Sequence, residues 1–216
     1  MFSRAKTSLV DAEHALPGRE QDPFHRAAQH RVLDAPVVTD DVPDGLEVAV
    51  FGLGCFWGAE EIYWQKPGVW STSVGYAGGH TPHPSYEEVC TGRTGHTEAV
   101  RIVFDPAVVS YADLVKTFFE VHDPTQGMRQ GNDVGTQYRS AIYWTTPEQE
   151  QTARELTKIY GDELARRRLG DITTEIRPAA DVPYYYAEDA HQQYLAKNPH
   201  GYRCHANTGV RFPADA

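Results

Sequence analysis

Cysteine is scarce. Three occur in 216 residues, at positions 55, 90 and 204. An odd count at wide spacing excludes the dense disulfide framework of a small secreted domain. There is no C-x-x-C pair, and Cys204 followed by His205 is not ligand spacing, so no metal is expected. No apolar run approaches the roughly 20 residues that span a bilayer, so no membrane contact is expected. The opening "MFSRAKTSLVDAEHALPGRE" has no apolar signal-peptide core, which points to the cytoplasm. Cationic residues are also in deficit: 20 Lys and Arg against 30 Asp and Glu give a net charge of -10. That balance argues against a general nucleic-acid binder, which needs a basic face.

What remains is ordinary globular composition, 40% hydrophobic and 23% charged, enough for one domain with an extension. Residues 1–45 are polar with scattered Pro and Asp. They read as an extension lying over the domain, with a short helix near Pro23–Arg31. The domain itself is expected from residue 46 to 216. "LEVAVF" is apolar on both faces and predicts a central strand. Phe56, Ala59, Ile62 and Tyr63 follow helical spacing up to Gln65, with Glu60 and Glu61 read as favouring the positive helix start. "VWSTSVGYAGG" predicts a strand, and "PSYEEVCTG" one or two helical turns. In "HTEAVRIVFDP", Glu98, Val100, Ile102 and Phe104 share one strand face. "YADLVKTFFEVHD" predicts an amphipathic helix, "PTQGMRQGNDVGTQ" a glycine-rich loop and "YRSAIYW" a strand. A long polar helix follows Thr146 as N-cap and Pro147, with Gly170 as its stop. "TTEI" predicts a strand, "EDAHQQYLAK" a helix, and the end a coil. The order strand, helix, strand, strand, helix, strand predicts an α+β fold: an α/β two-layer sandwich on a ferredoxin-like split βαβ core with a mixed sheet and a C-terminal coil extension.

The stretch "GLGCFWG" at 52–58 lies between the first strand and first helix. Gly-x-Gly at that place begins a dinucleotide fingerprint. Cys-Phe-Trp in the turn would hinder backbone approach to a pyrophosphate, and no acid follows about 20 residues on. There is no Gly-Lys-Ser/Thr, hence no P-loop. A thiol site fits better. Free N–H groups and the helix dipole would stabilise a Cys55 thiolate and lower its pKa. The alternative is a buried core cysteine. His96, His122 and His205 are candidate bases by proximity to glycines or Cys204, and read by default as surface or loop histidines. Glu98 has two readings at this point. On a buried face its carboxyl would be desolvated, its pKa raised, and it could act as a general acid. At a solvent-exposed strand start it would be an ordinary charge.

"GCFWG" (54–58), "SYEEVCTGRTGHTEAV" (85–100), "GNDVGTQYRSAIY" (131–143) and "HQQYLAKNPHGY" (191–202) together strongly resemble the peptide methionine sulfoxide reductase A family. The likeness runs from about Val48 to Arg211. It implies reduction of the S epimer of methionine sulfoxide, free or in proteins, without a cofactor. It assigns Cys55 as nucleophile and Phe56 and Trp57 as a hydrophobic wall for the S-methyl group. Glu98 matches the proton donor, Tyr86 and Tyr138 the hydroxyls that hold the sulfoxide oxygen, and Asp133 a further polar pocket residue. Cys204 matches the C-terminal resolving cysteine, so a Cys55–Cys204 disulfide is implied; Cys90, in the short helix, reads by default as a small hydrophobe, with a secondary thiol as its other reading. Arg203 stands between "GY" and the cysteine, and Arg211 where some members carry a second tail cysteine. The implied reductant is thioredoxin, or a glutaredoxin-like partner with a small thiol, acting on a monomer. A redox-sensing module that cycles Cys55 and Cys204 without turning over sulfoxide is the reading from a different class.

Overall fold

The computed structural model describes residues 6–204 and 206–213. Their core is β1 (Glu47–Leu53), α1 (Phe56–Trp64), β2 (Val69–Ala77), β3 (Thr97–Phe104), α3 (Tyr111–Val121) and β6 (Ser140–Trp144). Between these lie α2 (Tyr86–Cys90) and the short strands β4 (Arg129–Gln130) and β5 (Asp133–Val134). After them come α4 (Pro147–Arg166), β7 (Glu175–Pro178), β8 (Tyr185–Tyr186) and α5 (Tyr194–Lys197). Among the described residues the main sheet has six strands in the order β7-β6-β1-β3-β2-β8. β1 pairs antiparallel with β3 and β6, and β2 antiparallel with β3. β1 and β2 therefore run the same way with β3 between them, which is the split βαβ arrangement expected. β7 joins β6 in parallel, which makes the sheet mixed.

One sheet face carries the helices. Phe51, Val100, Ile102 and Phe104 pack there against Tyr63 of α1, Leu114, Phe118 and Phe119 of α3, and Leu156 and Tyr160 of α4. The other face, with Val50, Ala99, Ala141 and Tyr143, is closed by Val182 and Tyr184 in coil. Alternation along β3 thus sends Glu98 to the helix face, beneath the start of α1. No helix among the described residues is long and apolar enough to cross a membrane.

Several local expectations differ from what forms. No helix occupies Pro23–Arg31; the segment is extended and bridges Gln29 to Pro36. Its polar groups bond outward instead: Arg26 donates to the carbonyls of Tyr186 and Ala187, and the Ala27 N–H to Asp189. The glycine-rich loop contains the β4–β5 hairpin and a 3-10 turn at Thr136–Tyr138. α4 begins as expected, with Thr146 accepting from Gln149 N–H and Pro147 in the first turn. It ends at Arg166, before Gly170, because Arg168 takes the left-handed conformation (φ 58°). The helix expected over 188–197 is only Tyr194–Lys197. Gln193 is left-handed (φ 46°), and the Gln192 amide bonds the backbone N–H and carbonyl of Val74 instead of the solvent.

Candidate active site

Cys55 is the N-cap residue of α1 and is buried. The turn that presents it depends on Gly54, at φ +94°. A Cβ there would also lie 2.7 Å from Gln130 Cγ, so the side chain of β4 closes directly over this backbone. The next residue, Phe56, donates its backbone N–H to Glu98 Oε2 at 3.0 Å. A free N–H at the helix start thereby ties the carboxyl of β3 to the turn that carries the thiol.

Glu98 is 1% exposed, which resolves its two readings in favour of the buried acid. Burial pushes its pKa up to about 8, against the opposing pull of the Phe56 N–H. Cys55 behaves opposite to the expectation from its helix position. Burial, foremost, and the neighbouring Glu98 carboxyl push the thiol well above its ordinary value. The Trp57 N–H acts in the expected, lowering direction but is outweighed. Desolvation penalises the thiolate by more than a helix start returns. At neutral pH the resting pair is therefore a thiol beside a carboxylic acid. Glu60 and Glu61 lie beyond the first turn of α1, where the helix dipole no longer reaches. Glu60 is instead fully buried, accepting the Gln193 N–H and side-chain amide at 2.8 Å each and Thr72 Oγ1 at 3.1 Å. Glu61 pairs with Arg203.

Tyr86 is the first residue of α2, whose Ser85–Glu88 capping box fixes the helix start. Tyr138 ends the 3-10 turn that Arg139 holds by donating to the Thr136 carbonyl. Burial, and next the Glu98 carboxyl, raises the pKa of both phenols, so both remain protonated near neutral pH. Cys90 is half-buried at the end of α2, where burial, foremost, raises its pKa. Asp133 stands on β5, with its pKa raised by burial, and accepts from the Tyr202 hydroxyl at 3.1 Å. Phe56 is buried, its ring against Tyr76 and His191. Trp57 is half-buried and stacks on Tyr194 at 3.8 Å between centroids. Cys204 lines a 310 Å³ cleft with Gly131, Asn132, Tyr202 and Arg203. Its Sγ lies 3.7 Å from the Gln130 carbonyl, and it is near enough to Cys55 to act on that thiol electrostatically. An apolar cavity of 370 Å³ lies elsewhere, against the sheet face away from Glu98 and lined by Val42, Val48, Val50 and Val182.

His96 and His122 are buried and hydrogen-bonded inside the fold, not surface histidines. His96 bonds the Thr81 carbonyl and the Gly79 N–H; His122 bonds the Phe118 carbonyl and Ser140. His205 lies outside the described residues. The histidine that does reach the site was not singled out. His191 accepts the Trp57 indole N–H at 3.2 Å and packs its ring 4.4 Å from that of Tyr86. Glu188 was missed too; it accepts from the Tyr86 N–H at 2.7 Å and the Tyr76 hydroxyl at 2.9 Å. Both fall in a segment whose local pattern reads as plain helix, so only the quoted motif around His191 pointed there.

The model of the peptide methionine sulfoxide reductase family matches residues 47–213. A peptide methionine sulfoxide reductase MsrA of Salinispora arenicola is 57% identical over 212 residues, 97% of this chain and 94% of that protein. One from Rhodospirillum centenum is 57% identical over 213 residues, 99% of this chain and 95% of that protein. Among solved structures, methionine sulfoxide reductase A of Corynebacterium diphtheriae superposes with a TM-score of 0.85 at 50% identity, covering 95% of this chain and 99% of that one. Mxr1 from Saccharomyces cerevisiae in reduced form gives 0.69 at 31% identity, covering 78% and 96%. With the same fold and a family match spanning the thiol, the buried acid and the tail, the chain belongs to the peptide methionine sulfoxide reductase family.

Proposed function

We propose that the protein reduces methionine-S-sulfoxide, free and in proteins, by transferring its oxygen to Cys55. The observation that carries the reading is the Glu98 carboxyl, buried and tied to the Phe56 N–H one residue from the thiol. A sulfoxide oxygen is a poor leaving group until protonated. Glu98, neutral below about pH 8, donates that proton, and the Tyr86 and Tyr138 hydroxyls hold the oxygen. The positive charge developing on the substrate sulfur draws the Cys55 sulfur onto it in a transient sulfur–sulfur bond, which breaks as the hydroxyl passes to Cys55. The Cys55 proton returns to Glu98. The sulfur–oxygen bond of the substrate breaks as one forms on Cys55; methionine leaves and Cys55 is a sulfenic acid. The substrate sulfur gains the two electrons that Cys55 loses. Phe56 and Trp57 form the apolar wall for the methyl group, and Asp133 adds a polar contact.

Cys204 then attacks the sulfenic sulfur, expelling water and forming the Cys55–Cys204 disulfide. An external dithiol, thioredoxin or a glutaredoxin-like protein with a small thiol, reduces it by exchange. Cys90, half-buried at the end of α2, is the thiol that stands in reserve for this step. The domain so used is 46–216 with 1–45 as its extension, working as a cytoplasmic monomer. Incubation with racemic methionine sulfoxide and a dithiol checks the activity. The S epimer is consumed and the R epimer persists; consumption of neither, or of R alone, contradicts the proposal.

A further inference from the structure

Arg203, the residue that interrupts the tail pattern, fixes the tail to the helix that Cys55 caps. Its Nε lies 2.6 Å from Glu61 Oε2 and its Nη2 2.7 Å from Glu61 Oε1. Its remaining Nη1 donates to the carbonyls of Pro199 at 2.9 Å and Gly201 at 3.2 Å, so the same guanidinium closes the preceding turn. A single exposed ion pair contributes little. This one is a two-pronged fork between side chains only 29% and 21% exposed, the geometry in which an arginine orients what it holds. On the other side of Arg203, Cys204 rests on β4. Its Sγ meets the Gln130 carbonyl, and a Cβ on Gly131 would lie 3.3 Å from it. The Gln130 side chain in turn packs on Gly54, the residue before Cys55. The tail is thus anchored at two points, with Cys204 one residue's thickness from the nucleophile turn.

We propose that the Arg203–Glu61 pair is a positioning device for the second step, holding Cys204 docked beside Cys55 before the sulfenic acid forms. This rests on the reading of Cys204 as the resolving thiol. In that step the Cys204 sulfur bonds the Cys55 sulfur and the Cys55 sulfur–oxygen bond breaks. The departing hydroxide takes the Cys204 proton and leaves as water. Neither Arg203 nor Glu61 touches the reacting atoms. Their pairing raises the local concentration of the Cys204 thiol and its fraction of time in line with the sulfenic sulfur.

The experiment is a single turnover of the full-length protein with limiting methionine-S-sulfoxide. It is quenched at intervals, and released methionine and the Cys55–Cys204 disulfide are followed by mass spectrometry. In Arg203→Ala and Glu61→Gln, methionine release stays within about twofold of wild type while disulfide formation slows about tenfold. The double variant is no slower than either single one, because one interaction is lost once. Salt near 1 M, which cuts the screening length to about 3 Å, slows the disulfide step in wild type but not in Arg203→Ala. Disulfide formation in Arg203→Ala as fast as wild type or faster, or additive slowing in the double variant, overturns the inference. Cys204→Ser separates the two claims. A Cys55 disulfide forming in it at the wild-type rate removes Cys204 as resolver. Loss of the disulfide there, with an unaffected Arg203→Ala, removes only the positioning role.

Discussion

Glu98 and Cys55 are held in their neutral forms by the same cause, loss of water around both. That has a consequence for stability as well as for chemistry. The Glu98 carboxyl titrates at about 8 in the fold against 4.5 when unfolded, and Glu60 at about 7. Between these limits the folded chain keeps protons that the unfolded chain has released. The contribution of the neutral acids is complete below about pH 4.5 and is lost as pH rises through 7 to 8. His30, His96 and His122 act the other way: burial lowers each to about 4 from 6.5, so their contribution is lost as pH falls from 6.5 to 4. Above pH 6.5 these three are silent and the acids dominate. The midpoint of thermal unfolding should therefore fall from pH 6.5 to 8.5, and Glu98→Gln should fall less steeply. Equal slopes for the two proteins would contradict the burial of a neutral acid.

At the scale of elements, α1 and its preceding turn build most of the site. Gly54 combines a left-handed backbone with a Gln130 side chain pressed on its Cα. Gly54→Ala should destabilise the fold by about 1–3 kcal/mol in chemical denaturation, through strain and through displacement of β4. A change below about 0.5 kcal/mol would show that the turn relaxes freely. Much of this was legible in the sequence. The two-residue alternation of Glu98, Val100, Ile102 and Phe104 placed the acid on a strand face with apolar neighbours, apolar spacing placed α1 and α3, and the Thr146–Pro147 start placed α4. What was not legible came from contacts distant in sequence. "EDAHQQYLAK" has the composition of a helix, but the Gln193 N–H goes to Glu60 and the Gln192 side chain to Val74, and those bonds break the helix before Tyr194. The Cys55 thiol was misjudged for a related reason. The helix-start argument sees only local N–H groups, whereas the opposing burial comes from the folded chain and the opposing charges include Glu98 on β3 and Asp133 on β5. Nothing local announces that Trp57 meets His191, since 134 positions separate them.

At the scale of the whole molecule, the stretch before β1 is a strap over the elements packed around Phe56 and Trp57. Arg19 pairs with Glu88 of α2 at 2.6 Å, and Arg26 bonds the backbone of Tyr186 and Ala187, just before Glu188 and His191. His30 enters the core itself. Its Nδ1 accepts the Val32 and Leu33 N–H groups, so its Nε2 carries the proton and donates to Thr72 Oγ1 at 2.9 Å. Thr72 donates its own hydroxyl hydrogen bond to Glu60, and Glu60 holds Gln193. A chain of hydrogen bonds thus runs from the strap to the turn beside Trp57. His30→Ala removes a buried ring and leaves Thr72 without its donor. It should lower unfolding free energy by about 2–4 kcal/mol in denaturant titration. A loss under about 0.5 kcal/mol would mean that the strap is not integral to the core.

The central claim is that Glu98 protonates the sulfoxide as Cys55 takes its oxygen. The direct measurement is methionine release in a single turnover across pH, in the Cys204→Ser background, which lacks the proposed resolving thiol. The account predicts one methionine per Cys55 and a rate that falls above about pH 8. With Glu98→Gln added, the rate should drop by about 10²-fold and the pH limb should vanish. An unchanged rate, or an unchanged limb, in the Glu98→Gln variant would contradict it.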